Sequence, residues 1–336
     1  SKENYKMPSK KVKSVSFSDV MTTEVYQNGE TCTVKENTLK TSGLSDYVVA
    51  LRPWSFTASL TPVALGSVLA YKMTGDFNIW IVIVTCITAL AVHAAGNLVN
   101  TYFDYVKGVD SKKSDDRTLV DHLLAPDEVA RLGGIFYIIG CCGFVVMTIL
   151  SPTKMEHLAL LYFGGLSASF LYTGGLGLKY VALGDILIFI SFGPITVLFA
   201  FLAQGGELSL LPMAYAIPVA LNTEAILHSN NVRDFESDKA AGIVTLPILI
   251  GKTASYVVFA LLIFGPPAIF AVMTVKFNPW CFLPTLTMLM ALKAEKMFRT
   301  GKLALLPHYI AQMNLILGFL YIVAIYMSSS AQLPGF

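Results

Sequence analysis

The sequence predicts an all-α membrane protein with nine transmembrane helices around a central cavity. Three observations carry this. The 336 residues are 54% hydrophobic and only 14% charged, where a soluble chain of this size carries about 25% charged residues. Nine apolar stretches approach the roughly 20 residues needed to cross a bilayer. Lys and Arg, in addition, fall almost entirely on one side of those stretches.

Residues 1–45 are rich in Lys, Ser and Thr without periodicity, and are expected to form a disordered cytosolic arm. The transmembrane domain is expected over 46–330, with spans near 55–72, 78–103, 132–150, 157–176, 181–203, 210–231, 253–275, 279–298 and 308–328. Breaks fall at turn signals such as Thr74-Gly75-Asp76, Ser151-Pro152 and Gly205-Gly206. Pro194 and Pro218 fall inside spans, where a kink is tolerated if neighbours satisfy the freed carbonyls.

Orientation follows from charge. Loops after the even spans hold 13 Lys and Arg, against 3 (Lys72, Lys154, Lys276) after the odd ones. Positive charge stays cytosolic, which puts the N-terminus and the even loops in the cytosol. The net charge of +2 is not gathered into a basic face, so no nucleic-acid partner is expected. The five Cys (Cys32, Cys86, Cys141, Cys142 and Cys281) have no metal-ligand spacing and read as reduced, packed thiols.

Two acidic clusters follow the second and sixth spans, and therefore open on the same side. His93, Asn97, Asn100 and Asp104 have offsets 0, 4, 7 and 11, a single helix face. Asn230, Asp234 and Asp238 have offsets 0, 4 and 8, again one face. Asp110 follows in the loop after the first cluster. Carboxylates near hydrocarbon are costly and mark cavities, partners or substrates. Oxygen-only donors select hard cations, and Mg²⁺ is typically shared between a few carboxylates and substrate phosphates. Two such stripes facing each other suit a diphosphate bridged by Mg²⁺, with two ions expected. Lys107, Arg117, Lys179, Arg233 and Lys239 are the basic candidates for the diphosphate, each weighed against an ordinary flanking charge. His93 and His228 are expected in interhelical hydrogen bonds, Glu224 being a candidate partner for the latter.

These residues resemble the UbiA superfamily of intramembrane prenyltransferases, a nine-helix fold with two Asp-rich motifs after the second and sixth helices. Asn100-Thr-Tyr-Phe-Asp104-Tyr-Val-Lys-Gly108-Val-Asp110 is similar to the first motif in its menaquinone-branch spacing, with Thr101 where an Asp is usual. Asn230 to Asp238 is similar to the second, and further likeness runs through Leu51–Phe56, Gly96–Thr101, Ser114–Asp121 and Ala225–Asn231. The resemblance implies transfer of a geranylgeranyl group from its diphosphate to menadiol (reduced menadione), forming menaquinone-4. It implies Mg²⁺ at Asn100, Asp104, Asp110, Asn230, Asp234 and Asp238, diphosphate contacts from Lys179 and Arg233, and a substrate pocket drawing on Arg52, Asn97, Tyr172 and His93. Family analogy extends to an endomembrane location (ER, Golgi or mitochondrial) and to HMG-CoA reductase as a partner. Alternatives are a prenyltransferase with a ubiquinone-type acceptor, a CDP-alcohol phosphatidyltransferase, and a non-catalytic, sterol-linked regulator or transporter.

Overall fold

A computed structural model describes residues 22–27, 30–35, 43–107, 118–121, 123–173 and 176–335. Within the stretch expected to be a disordered arm, Thr22–Gln27 (β1) pairs antiparallel with Glu30–Lys35 (β2), Thr22 opposite Lys35. The second unit, residues 42–336, is helical throughout its regular structure.

That unit starts with a short helix, Leu44–Leu51 (α1), closed by Arg52 in the left-handed region at φ 52°. Thr57–Thr74 (α2) and Ile79–Val106 (α3) follow. Asn78 caps α3 by accepting from the amides of Trp80 and Ile81, satisfying N–H groups that the first turn leaves open. Pro126–Leu150 (α4) and Met155–Thr173 (α5) lead into the fifth span, Gly184–Ala203. There Gly184–Ile190 (α6) and Thr196–Ala203 (α7) are joined by one π turn, Ser191–Ile195, around Pro194. Proline removes a backbone donor, and the Thr196 hydroxyl donates to the Ser191 carbonyl at 2.6 Å inside this turn.

Leu211–Arg233 (α8) and the short Phe235–Ala240 (α9) carry the second cluster. Leu246–Lys276 (α10) is broken at Gly251, φ 82°, a conformation open to glycine. Phe282–Thr285 (α11), Met288–Arg299 (α12) and Leu306–Met327 (α13) complete the chain.

Helices stand at all nine expected positions, but among the described residues five are long and apolar enough to cross a membrane: α3, α4, the α6–α7 span, α10 and α13, with mean hydropathies of 1.9 to 2.5. The expectation of nine spans is met at those five. The other four depart for sequence reasons. α2 is only 18 residues long and interleaves Ser and Thr with its apolar positions. α8 spends its inward face on Asn222, Glu224, His228 and Asn230. The stretch 279–299 is divided by Pro279 and Pro284 and ends in Lys293, Lys296 and Arg299. α5, with 19 residues, does not qualify on its described residues.

Packing is by close approach of small residues, the usual means in a bilayer, where apolar contact alone gives helices no preference for each other over lipid. Gly66 of α2 lies so close to α7 that a Cβ there would fall 2.3 Å from the Val197 carbonyl oxygen. Gly193 meets Ala220 of α8 at the same separation. α3 packs along α4, α8 along α10, and α13 against both α2 and α8. Outside this frame Ile138, Ile149, Leu160, Leu261, Val275 and Phe319 are exposed, an apolar surface suited to lipid. One backbone bridge lies at the end where both clusters open: the Val244 amide donates to the Tyr180 carbonyl at 3.2 Å.

Candidate active site

A cavity of about 290 Å³ is bordered by α2, α3, α5, the α6–α7 span, α8 and α9. Its wall changes character along its length. Asn100, Asp104, Lys179, Asn230, Arg233, Asp234 and Asp238 form one part, and Val92, Leu161, Tyr162, Ile195, Phe199 and Ile226 another. The helical phase of both stripes places them inside: His93, Asn97, Asn100 and Asp104 all line the cavity from α3. Asn230, Asp234 and Asp238 line it from α8 and α9. The helix breaks at Asp234 (φ −92°, ψ 7°), yet the Asp238 amide donates to the Asp234 carbonyl at 2.9 Å, so the turn and the stripe continue.

The acids hold basic partners. Buried Asp104 accepts from Lys179 Nζ at 2.6 Å and from the Tyr180 hydroxyl at 2.8 Å, while Lys179 also donates to Asn100 Oδ1 at 3.3 Å. Asp234 is gripped bidentately by its neighbour Arg233, at 2.9 and 2.7 Å. Such charge-assisted contacts are among the stronger hydrogen bonds a protein makes. Burial pushes the Asp238 carboxyl up to about 6; Lys179 and Arg233 pull it down, and Asp234 and Asp104 push it further up. The charges of both clusters therefore reach one another across the polar end.

The donor set fits Mg²⁺. Asn100, Asp104, Asn230, Asp234 and Asp238 offer oxygens only, and among the described residues no three acidic, His or Cys side chains close into a ready cage. Oxygen donors of this kind are those Mg²⁺ takes. Thr101 does not replace its missing carboxylate: it is outside the cavity lining, donates to the Asn97 carbonyl at 3.0 Å and accepts from Arg52 at 3.4 Å.

Other expected residues divide. Arg52, Asn97, Tyr172 and His93 line the cavity. Asn97 spends its amide on the Leu51 carbonyl (3.0 Å) and the Ser55 hydroxyl (3.3 Å), tying α1 to α3. His93 contacts Ser59 through Nδ1 at 2.7 Å and Ser55 through Nε2 at 3.2 Å, the expected interhelical bonding. Two basic candidates stand away from the lining. Lys107 lies over the Tyr180 ring at 3.8 Å, and Lys239 is exposed on α9. The pull of an aromatic face and of open solvent outweighs that of the acids at these two positions. Asp110 and Arg117 lie outside the described residues. Sequence reasoning did not single out Tyr180, Ser55 or Ser59; adjacency to Lys179 was the available signal for the first, and nothing in spacing marks the serines.

The fold and this cavity define a helical membrane protein whose acidic and basic side chains gather on one internal cavity. The profile of the UbiA prenyltransferase family matches residues 59–304, and the chain belongs to that family and is a prenyltransferase. It is 55% identical over 296 residues to the UbiA prenyltransferase domain-containing protein 1 homolog of Drosophila melanogaster, covering 87% of this chain and 82% of the relative. With the Homo sapiens UbiA prenyltransferase domain-containing protein 1 the identity is 54% over 290 residues, 86% of each chain. Among solved structures, the apo UbiA homolog from Aeropyrum pernix K1 superposes with TM-score 0.63 at 16% identity, covering 80% of this chain and 97% of that one. The Archaeoglobus fulgidus UbiA homolog bound to DMAPP and Mg²⁺ gives 0.57 at 15%, covering 83% and 99%. These two likenesses establish the shared fold.

Proposed function

We propose that this prenyltransferase moves a geranylgeranyl group from its diphosphate onto the ring of menadiol, forming menaquinol-4, the reduced form of menaquinone-4. One observation carries the reading: two Asn/Asp stripes from separate halves of the chain converge with Lys179 and Arg233 on a single cavity that also presents apolar and aromatic side chains. The relatives and the bound DMAPP and Mg²⁺ of the archaeal homolog support it.

In this reading Asn100, Asp104, Asn230, Asp234 and Asp238 would hold Mg²⁺, two ions being expected with the diphosphate, and Asp110 would join them by motif position. When bound, the metal neutralises charge that builds on the departing diphosphate. Lys179 and Arg233 exchange their carboxylate partners for phosphate oxygens, adding donors where that charge develops. The apolar wall keeps water from the allylic cation, and the faces of Tyr162, Phe192 and Phe199 are suitable hosts for it. Arg52, Asn97, Tyr172 and His93 border the acceptor. Nine spans, a cytosolic N-terminus, a cytosolic cavity mouth and an endomembrane setting complete the picture.

The test is purified protein in nanodiscs with Mg²⁺, geranylgeranyl diphosphate and either menadiol or 4-hydroxybenzoate, with products separated by mass. Menaquinone-4 from menadiol alone is expected; prenylated 4-hydroxybenzoate in its place refutes the acceptor assignment.

A further inference from the structure

Helix α12 packs by one face only. Ala291 and Ala294 are fully buried, and Phe298 stacks on Phe259 of α10 with ring centroids 4.7 Å apart. The opposite face runs Leu289, Leu292, Lys293, Lys296 and Arg299, at offsets 0, 3, 4, 7 and 10, which share one side of a helix. All five are exposed, Leu289 at 72% and Leu292 at 53%. The face therefore changes from apolar to basic within one short helix. At about 1.5 Å per residue, Lys296 stands about 10 Å along the axis from Leu289. The chain then reverses at Gly301, φ 72°, where the amides of Gly301 and Lys302 donate to the carbonyls of Phe298 and Met297 at 3.1 and 2.9 Å. The reversal sets exposed Lys302 beside the last turn of α12.

Charge is concentrated at this corner. Residues 293–302 hold four Lys and Arg against one acid, in a chain whose net charge is only +2. That acid, Glu295, is already engaged: Arg299 Nε donates to it at 2.9 Å and the Tyr256 hydroxyl at 2.7 Å. Among the described residues no carboxylate pairs with Lys293, Lys296 or Lys302. Lys293 Nζ lies 4.8 Å over the Tyr309 ring of α13. The neighbouring His308 packs on Trp54, part of the cavity lining, with ring centroids 4.5 Å apart. The corner stands at the end where the acidic clusters open. Lys252, one turn before Tyr256 on α10, is held at 2.8 Å by Glu236, which lies between Asp234 and Asp238.

We propose that the α12–α13 corner seats an anionic phospholipid of the surrounding bilayer. Its acyl chains lie against Leu289 and Leu292, its headgroup phosphate sits on Lys293 and Lys296, and Arg299 and Lys302 add to the field. Polarity and charge together select this occupant. An apolar strip leading into ammonium groups repeats the order of chain and phosphate along a lipid, whereas a free phosphate or an acidic protein segment complements the basic half alone. Basic clusters beside membrane helices gather anionic lipid, and lysine stems lie along apolar surface while the ammonium stays at the interface.

The experiment titrates purified protein in detergent with phosphatidylserine or phosphatidylcholine of matched chains and counts bound lipids by native mass spectrometry. It compares the parent with Lys293→Gln/Lys296→Gln and with a control pair, Lys154→Gln/Lys276→Gln, that removes the same charge elsewhere. A cation near an anionic headgroup contributes about fivefold in affinity, so the corner pair should weaken the first phosphatidylserine site about 25-fold. Phosphatidylcholine adducts should not change, and the rise in unfolding temperature that phosphatidylserine gives the parent should disappear. Lys296→Gln alone should cost about fivefold, which reads the site if the pair variant fails to fold. Leu289→Ser/Leu292→Ser should weaken the site as well. The proposal is overturned if the parent retains both lipids equally, if the corner and control pairs lose phosphatidylserine to the same extent, or if the corner pair keeps the parent's affinity. Displacement of the lipid by inorganic phosphate or by a polyglutamate peptide at equal concentration overturns it too, assigning the corner to a soluble anion or to an acidic protein segment.

Discussion

Replacing Lys179 by Met should have opposite effects on the two things the site binds. Lys179 Nζ sits 2.6 Å from Asp104 and 3.3 Å from Asn100, with 16% of its side chain and 5% of that of Asp104 exposed. If Asp104 holds the metal as proposed, this ammonium competes with it for the same carboxylate. A hydrogen bond to a charged group is worth about 1.5–3 kcal/mol. Taking about 2 kcal/mol for the competing contact, its removal should tighten binding of Mg²⁺ or Mn²⁺ to the substrate-free protein roughly 30-fold, at about 1.4 kcal/mol per tenfold. The same change removes a donor to the diphosphate, so kcat/KM for the prenyl diphosphate should fall by a comparable factor or more. Mn²⁺ titration followed by spin resonance reads the first quantity, and initial rates at saturating metal read the second. A variant that binds Mn²⁺ more weakly, or with unchanged affinity, would refute the exchange of Lys179 for metal at Asp104.

Three further outcomes follow from the geometry. In the metal-free protein Asp238 holds its proton up to about pH 6; metal binding needs the carboxylate, so Mg²⁺ affinity should weaken up to about tenfold per unit as pH falls below 6 and level off above 7. Asp238→Asn should abolish that slope in a metal titration run from pH 5 to 8. Thr101→Asp restores the usual family residue at a position turned toward Arg52 and the Asn97 carbonyl; it should leave the Mg²⁺ concentration for half-maximal activity unchanged, and a lower requirement would show Thr101 facing the metal. Gly66→Leu drives a side chain into the Val197 carbonyl and the Ala200 methyl, 2.3 and 2.9 Å from the new Cβ. Overpacking of this kind costs about 1–3 kcal/mol, which should appear as a lower unfolding temperature and reduced yield of monodisperse protein, whereas Gly134→Leu, where the Cβ meets nothing within 4 Å, should not.

What the sequence made legible was periodic. Asn97, Asn100 and Asp104 share a face because helical phase is rigid, and phase survived even the break at Asp234. What stayed hidden depended on contacts between distant segments. Tyr180 reaches Asp104 from 76 positions away, and Ser55 and Ser59 reach His93 from a neighbouring helix. Five of the nine expected spans stand out by length and hydropathy among the described residues; at the others, polar side chains on α8 and the prolines of 279–299 dilute the apolar signal. Lys107 and Lys239 were named for proximity in sequence, which carries no direction; an aromatic ring holds one and solvent the other.

The bridge between Val244 and Tyr180 gives the two stripes a second connection that bypasses the cavity. From Asp104 the path runs through the Tyr180 hydroxyl, along that residue to its carbonyl, across to the Val244 amide, and from neighbouring Ile243, whose amide donates to the Asp238 carbonyl at 3.0 Å, back to the second stripe. The opposing acids are thus spaced from behind by backbone, in the manner of jaws set on one hinge plate. In the proposed reaction a metal–diphosphate would find that gap already set, and the binding energy that a looser site would spend on drawing two halves of a membrane protein together would stay available for the departing phosphate.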